Sequence, residues 1–522
     1  MVLSSALRLV LVAAPCAASA LAHPDGEAPQ DDSVVGPVQE PVEDDMAQGE
    51  LRPLSLEDSL ALALTNNLGL ERARIESEAA RFDALSTWGA FDWVFDATGT
   101  YSDSEQEGGD QLFGGEVVTT QRGRVDLDLT RPLTTGGRFV FHFDSQYTQT
   151  DNVFANDPEL YQSGISLTYV QPLLRGAWQE YNTAQQREAE ITQQRRFEER
   201  RDARQQLIQD VEVAYWELVS AMEQLRVSRA ALELGREQVQ RENARLRAGD
   251  GTEVDVLQAQ TEVATRTQAL LQAENDVAQR SDDLKRLLVR DEVAALWTQR
   301  IEPTTPLPEA NPDDLVLPNW ADAYQVALGR RADLRTARLD VDVSRIRLTR
   351  AQSERLYGLD LELTAAAGAF DVEFPDAVED SANFRFPRYA ATLVYNMPLQ
   401  NRTASNAEYA ARQRLRGTQV ALEEAEVMAL ADVRQAIRDL RFRAEAVRAA
   451  EQSFALARRQ LEAEQQRFEA DLTTTFEVLQ FQQTAIESAV SRTVARMEYA
   501  KSLVALRRAQ GVLGEVPDPN RN

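Results

Sequence analysis

Along this chain the apolar period switches from helical to two and back, and then repeats the sequence of changes. From Leu54 to about Leu85 apolar residues recur at helical spacing, with Ser55 and Asp58 placed as a capping box that uses the shorter acid. The period then becomes two. Phe91, Trp93, Phe95 and Ala97 alternate with Asp92, Val94, Asp96 and Thr98, and Val125, Leu127 and Leu129 alternate with Asp126, Asp128 and Thr130. Phe139, Phe141 and Phe143 alternate with Val140, His142 and Asp144, and Ile165, Leu167 and Tyr169 with Ser166 and Thr168. Four half-buried strands are predicted. The second and third are joined by a short turn, Pro132-Leu133-Thr134-Thr135-Gly136-Gly137, while the links at about 105–120 and 151–161 are longer and polar.

Two long helices come next. No proline interrupts about 176–247, where Leu207, Val211, Ala214, Leu218, Ala221 and Leu225 step by three and four. Beyond a break at Gly249–Gly251, Val256, Val263, Leu270, Val277 and Leu284 recur every seven, the spacing of a coiled-coil seam. A proline-rich connector, 301–318, leads into a second pass through the same plan: a helix at 319–355, strands at 357–366 and 388–397, and helices at 402–469 and 474–512. Leu359, Leu361 and Leu363 mark one of these strands, and Ala391, Leu393, Tyr395 and Met397 the other. The turns between the paired long helices are related. Gly249-Asp250-Gly251-Thr252-Glu253-Val254-Asp255-Val256-Leu257-Gln258 and Asp471-Leu472-Thr473-Thr474-Thr475-Phe476-Glu477-Val478-Leu479-Gln480 each give a break, a hydroxyl-rich helix start and then acidic-Val-Leu-Gln. Two homologous repeats, 51–300 and 319–514, account for the length.

Composition narrows the function. Net charge is −28, and lysine occurs only at Lys285 and Lys501, so nucleic acid, which needs a basic footprint, is not expected as a partner. Residues 1–22 read as an export signal, with Arg8, an apolar stretch from Leu9 to Ala14, and the small-x-small site Ala20-Leu21-Ala22. Residues 23–50 carry nine carboxylates and no Lys or Arg, as a disordered acidic tail would, and 515–522 form a C-terminal tail. Cys16 is the sole cysteine; Pro15 before it and Ala13 fit a lipid-attachment site poorly, so it is expected to leave with the signal. No later window is apolar enough for a membrane helix, so an exported chain of this kind would span a membrane only as β-structure. The two histidines are His23 and His142, which leaves little material for a His/Cys metal site or a His-based triad. No enzyme, cofactor or metal is expected.

With these pieces the chain resembles the outer membrane efflux proteins of the TolC type over about 51–514. Leu54-Ser55-Leu56-Glu57-Asp58 with Ala63-Leu64 and Asn66-Asn67 opens the first repeat, and Ala327-Leu328, Arg331 and Asp333-Leu334 the second, departing from the family's Arg-Pro-Asp-Leu at Ala332. Gln171-Pro172-Leu173 and Met397-Pro398-Leu399 mark the passage from strand to helix in each half. The resemblance implies a mainly α fold with membrane β-structure. Long helices build a coiled-coil α-helical barrel through the periplasm, and each protomer of a homotrimer adds strands to one shared transmembrane β-barrel in the outer membrane. It also implies a passive conduit for tripartite efflux or type I secretion, with a periplasmic adaptor and an inner-membrane pump as partners.

Under that resemblance Gly249, Asp250, Gly251, Thr252, Ala470, Asp471, Leu472 and Thr473 are candidates for adaptor docking. Asp255 and Glu477, with Gln480 beside them, are candidates for a periplasmic constriction; as helix N-terminal acids they also serve simply to complement the dipole. Trp93, Phe95, Phe139, Phe141, Phe143, Tyr169, Leu361, Leu363, Leu393 and Tyr395 are the expected membrane-strand residues facing outer-membrane lipid. The family pattern gives two strands per half, whereas the first half here shows four. An inserted hairpin follows, and with it a trimeric barrel of eighteen strands rather than twelve, the other possibility being an insert folded as a plug or cap. The rival reading of the whole chain is a soluble periplasmic coiled-coil scaffold or adaptor.

Overall fold

The computed structural model describes residues 51–107, 117–151, 157–249, 251–288, 297–309, 316–470 and 472–514. The expected signal, the acidic tail, Cys16, Asp250, Asp471 and the final tail lie outside them. The described residues all belong to one compact unit.

The first helical stretch is divided. Leu51–Leu54 is a short strand (β1), followed by α1 (Leu56–Asn66) and α2 (Leu68–Ser86). Ser55 caps α1, its hydroxyl accepting from Asp58 N at 3.0 Å, and Asn67 ends α1 while its side chain caps α2. The second repeat breaks in the same way: α6 (Trp320–Arg330) stops at Arg331, whose extended backbone (φ −65°, ψ 128°) matches that of Asn67 (φ −70°, ψ 121°), and α7 (Ala332–Glu354) continues beyond it. Helical period alone does not reveal such a break, because the apolar pattern is sound on both sides. A second unexpected element is a parallel pairing of β1 with β6 (Arg300–Pro303), which falls at the start of the expected connector. Tyr215, fully buried, fixes it: its hydroxyl donates to Leu54 O at 3.1 Å and accepts from Thr305 N at 2.9 Å. Leu54, Ile301 and Leu307 thereby join the main apolar core with Leu207, Val211 and Leu218 of the long helix Ala184–Ala248 and Leu284 and Leu288 of the helix Glu253–Leu288.

Six strands form one antiparallel sheet in the order β2 (Val94–Glu107), β3 (Val117–Pro132), β4 (Arg138–Thr150), β5 (Glu159–Pro172), β7 (Gly358–Asp371), β8 (Pro387–Asn396). Several strands run well beyond the expected alternating segments, because far stretches such as 102–107 and 119–124 carry almost no apolar residues and so lack a period-two signal. Trp93 lies just before β2, after a 3₁₀ turn (Thr87–Phe91), so it flanks the strand rather than belonging to it; the Arg131 guanidinium stands 5.2 Å from its ring centre. The β3–β4 turn closes with Leu133 N donating to Gly137 O at 2.7 Å. Gly136 is left-handed there (φ 87°), and a Cβ would lie 2.3 Å from Gly176 O. Gly136→Ala is expected to cut the yield of folded protein severalfold, read as the protease-resistant fraction after expression, since both the backbone and the neighbour oppose it.

Beyond the sheet a single turn (α3, Gln179–Asn182) leads into α4 (Ala184–Ala248), which packs along α5 (Glu253–Leu288). In the second repeat α9 (Arg402–Glu469) packs along α10 (Thr475–Ala509). At 1.5 Å per residue the 65-residue α4 reaches about 98 Å from the sheet to its turn. Between β7 and β8 a short helix not foreseen in the sequence, α8 (Phe374–Ala382), covers the far ends of β5 and β7, with the Ser381 hydroxyl donating to Ser163 O at 2.8 Å. Side by side, the helices nearest the sheet run α2–α4–α7–α9.

Candidate functional site: a two-faced sheet and paired helix tips

Pairing registers define the two faces of the sheet. One row reads Phe95, Leu129, Phe141, Leu167, Ala365, Tyr389; its neighbours add Ala97, Leu127, Phe143 and Ile165 on one side and Arg131, Phe139, Tyr169 and Leu363 on the other. Leu361, Leu393 and Tyr395 fall on this same face, so nine of the ten residues expected to meet lipid lie on one surface, with Trp93 at its margin. Aromatic residues bound it at both levels, Tyr101, Tyr147 and Tyr161 at the far end and Tyr169 and Tyr395 near the helices. From Tyr161 to Tyr169 a strand tilted by about 40° climbs roughly 21 Å, close to the apolar band of an outer-membrane barrel.

The opposite face is polar at the same depth: Asp96, Asp126, Asp128, His142, Asp144, Ser166, Thr168, Thr364, Arg388 and Thr392. His142 Nδ1 lies 2.7 Å from Asp128 Oδ1, Arg124 reaches Asp126 at 2.8 Å, and the Thr168 and Thr364 hydroxyls meet at 3.3 Å. Such a surface has partners in water and none in hydrocarbon.

At the other end of the helices the two turns are built as caps. Gly249 closes α4 in the left-handed conformation (φ 87°), donating to Leu246 O at 3.1 Å. Thr252 Oγ1 accepts from Asp255 N at 3.3 Å while Asp255 Oδ2 accepts from Thr252 N at 3.0 Å and from its hydroxyl at 2.6 Å. In the second turn Ala470 ends α9, and Thr474 and Glu477 form the same reciprocal box, with Thr473 also donating to Glu477. The hydrogen bonds from Thr252 hold the Asp255 carboxyl below its ordinary value, and those from Thr473 and Thr474 do the same for Glu477. A depressed carboxyl contributes stability that is present above its unfolded value and lost as pH falls through the folded one. Amide exchange at 252–256 and 474–478, corrected for intrinsic rates, is therefore expected to stay flat at neutral pH and to quicken only below the usual carboxylate range. Gln480 is exposed, with its carbonyl accepting from the Thr484 hydroxyl at 3.0 Å.

Two features of this end, Leu472 apart, escape sequence reasoning. Apolar side chains stand exposed on both tips: Val254 (70%), Leu257 and Leu246 on one, Leu472 (68%) and Phe476 on the other. Behind them a buried polar cluster ties three helices together. Arg266, 4% exposed, donates to Ala231 O of α4 at 2.8 Å, to Glu262 of α5 at 2.8 Å and to Gln482 of α10 at 3.0 Å. Glu242 accepts from Gln238 at 2.5 Å and from Thr475 at 3.1 Å. Gly235 makes room, since a Cβ there would lie 3.2 Å from Arg266 Cδ.

The described chain thus sets a sheet with an apolar band on one face and a polar surface on the other upon long helical hairpins. Residues 60–289, most of the first repeat, match the sequence profile of the outer membrane efflux proteins. The second repeat carries the same plan in its structure. Solved structures share the fold across nearly the whole chain. The Campylobacter jejuni CmeC outer membrane channel is 16% identical, over 88% of this chain and 85% of that one, with a TM-score of 0.66. The Vibrio cholerae outer membrane protein VceC is 17% identical, over 87% and 96%, with a TM-score of 0.64. The open state of the Neisseria gonorrhoeae MtrE outer membrane channel is 17% identical, over 88% and 89%, with a TM-score of 0.61. No curated protein sequence matches the chain.

Proposed function

We propose that this protein is the outer-membrane channel of a tripartite efflux or type I secretion system, a passive homotrimeric conduit that crosses the outer membrane and extends into the periplasm. The observation that carries the reading is the division of the six-stranded sheet into an apolar face and a polar face at one depth. Lipid on one side and water on the other satisfies both. Closure needs further copies, because the sheet of a single chain ends in two unpaired edges. The helical layer supports this too. Its edge helix α2 exposes Leu68, Ile75 and Phe82 at seven-residue spacing, and its other edge helix α9 exposes Val420 and Val427 at the same spacing. Such stripes suit coiled-coil contacts between neighbouring copies.

The periplasmic adaptor docks on the two tips, through Gly249, Gly251, Thr252, Ala470, Leu472 and Thr473 with the exposed Val254 and Phe476 beside them; Asp250 and Asp471, the other two docking candidates, lie outside the described residues. Asp255 and Glu477 stand in the first helical turn behind this surface, where the three copies converge on the periplasmic mouth. Val254→Asp combined with Phe476→Asp is expected to leave trimer yield unchanged and to weaken adaptor binding at least tenfold, because the exposed apolar contacts would be replaced by charge.

Membrane fractionation tests the reading. After export in a Gram-negative host the protein is expected to sediment with the outer membrane and to resist carbonate and high-salt washes. Recovery in the soluble periplasmic fraction would instead favour the coiled-coil scaffold.

A further inference from the structure

The β2–β3 hairpin is what the channel role leaves unexplained, and the two edges of the sheet show what it does. We infer that β2 and β3 are wall strands of the barrel, and that β8 of each copy pairs antiparallel with β2 of the next, giving a barrel of eighteen strands. The inference rests on the trimeric reading above and fixes how that trimer closes.

Four observations support it. First, the outer face of the hairpin continues the apolar band without interruption, as Phe95, Leu127 and Leu129 extend the rows of Phe141, Phe143 and Leu167. A plug in water would not carry that band on one face and Asp96, Asp126 and Asp128 on the other. Second, strand directions alternate through the sheet, so β8 and an adjoining β2 run in opposite senses and an antiparallel ladder forms. Unpaired edge groups within a membrane would otherwise go unsatisfied. Third, the row through Phe95 lies at the helix end of β2 but at the far end of β8, where it passes through Tyr389. The strands are thus staggered in one direction, as a tilted barrel wall requires. Fourth, the sheet and the helical layer place their edges alike: α2 leads into β2, and β8 leads into α9. One seam joins both layers.

The stagger also sets the register. A strand tilt of 35–45° shifts the ladder by about six to eight residues over six strands. Thr392, on the polar face of β8, then lies opposite Thr98 or Thr100 of the neighbouring β2. Even shifts keep like faces together.

Engineered disulfides test this, since Cys16 in the expected export signal is the only native cysteine. Thr392→Cys is combined in turn with Thr98→Cys, Thr100→Cys and Ser102→Cys, and outer membranes holding the assembled protein are oxidised. One of these pairs is expected to convert most of the protein into covalent dimers and trimers. Thr168→Cys with Thr364→Cys, paired within a chain, reports that oxidant reaches the polar face. The decisive alternative joins Thr392→Cys to Asp144→Cys on β4, the strand that would form the seam if the hairpin stood outside the wall. Cross-linking to β4, or none to β2 while the control pair oxidises, would overturn the eighteen-strand barrel. The trimeric channel itself would be overturned only by absence of trimers before oxidation.

Discussion

Phe141→Arg is expected to reduce assembled trimer in the outer membrane at least tenfold, whereas Thr168→Arg is expected to leave it within about twofold of wild type. The residues lie at nearly the same depth on adjacent strands, but Phe141 is on the apolar face and Thr168 on the polar one. An arginine facing hydrocarbon near the bilayer midplane costs about 2–4 kcal/mol in each copy, and three copies bear it at once. An arginine at 168 enters a surface that already holds Asp126, Asp144 and Glu362 and stays in water. The heat-stable trimer band of purified outer membranes measures both. Loss with Thr168→Arg and retention with Phe141→Arg would mean that the two faces had been assigned the wrong way round.

Arg266→Ala is expected to be the most destabilising single change in the helical part. It removes the guanidinium that joins α4, α5 and α10 and leaves Gln482 Oε1 and the Ala231 carbonyl buried without that donor. Breaking a buried charged contact of this kind costs roughly 3–5 kcal/mol. The midpoint of helix loss in urea should fall accordingly, with new protease cleavage sites near 231–266. Arg266→Met combined with Gln482→Leu should recover part of the loss, because the Gln482 amide is then no longer buried without its partner and the space is refilled by apolar side chains. A midpoint unchanged in Arg266→Ala would remove the cluster from any part in holding the three helices together.

Legibility in the sequence followed the physics of each element. The half-buried strand segments were readable because one face is apolar and the other wet at the depth of Phe141 and His142. Their far halves were not, since Thr100–Gln106 and Thr119–Arg124 are polar at every position but Tyr101 and Gly123, and a single aromatic residue sets no alternation. The paired tips could be read from Thr252–Asp255 and Thr474–Glu477, because a capping box is a local arrangement with a fixed spacing. By contrast, the β1–β6 pairing depends on the Tyr215 hydroxyl meeting a segment far away in the chain, and no local pattern announces it. The helix breaks at Asn67 and Arg331 were hidden by sound helical periods on either side. Arg266 was concealed by company: among so many arginines on charged helices a buried one reads like a solvated one, and the only local hint is Gly235 facing it.

The measurement that bears most directly on the channel is the number of chains per particle in the outer membrane. The full precursor would be expressed in a Gram-negative host, its outer membranes isolated, and the detergent-extracted protein weighed by light scattering with the detergent contribution subtracted. Three chains per membrane-derived particle is the predicted result. A monomer or dimer recovered from the soluble periplasm would contradict the shared barrel and the assignment of the sheet to lipid.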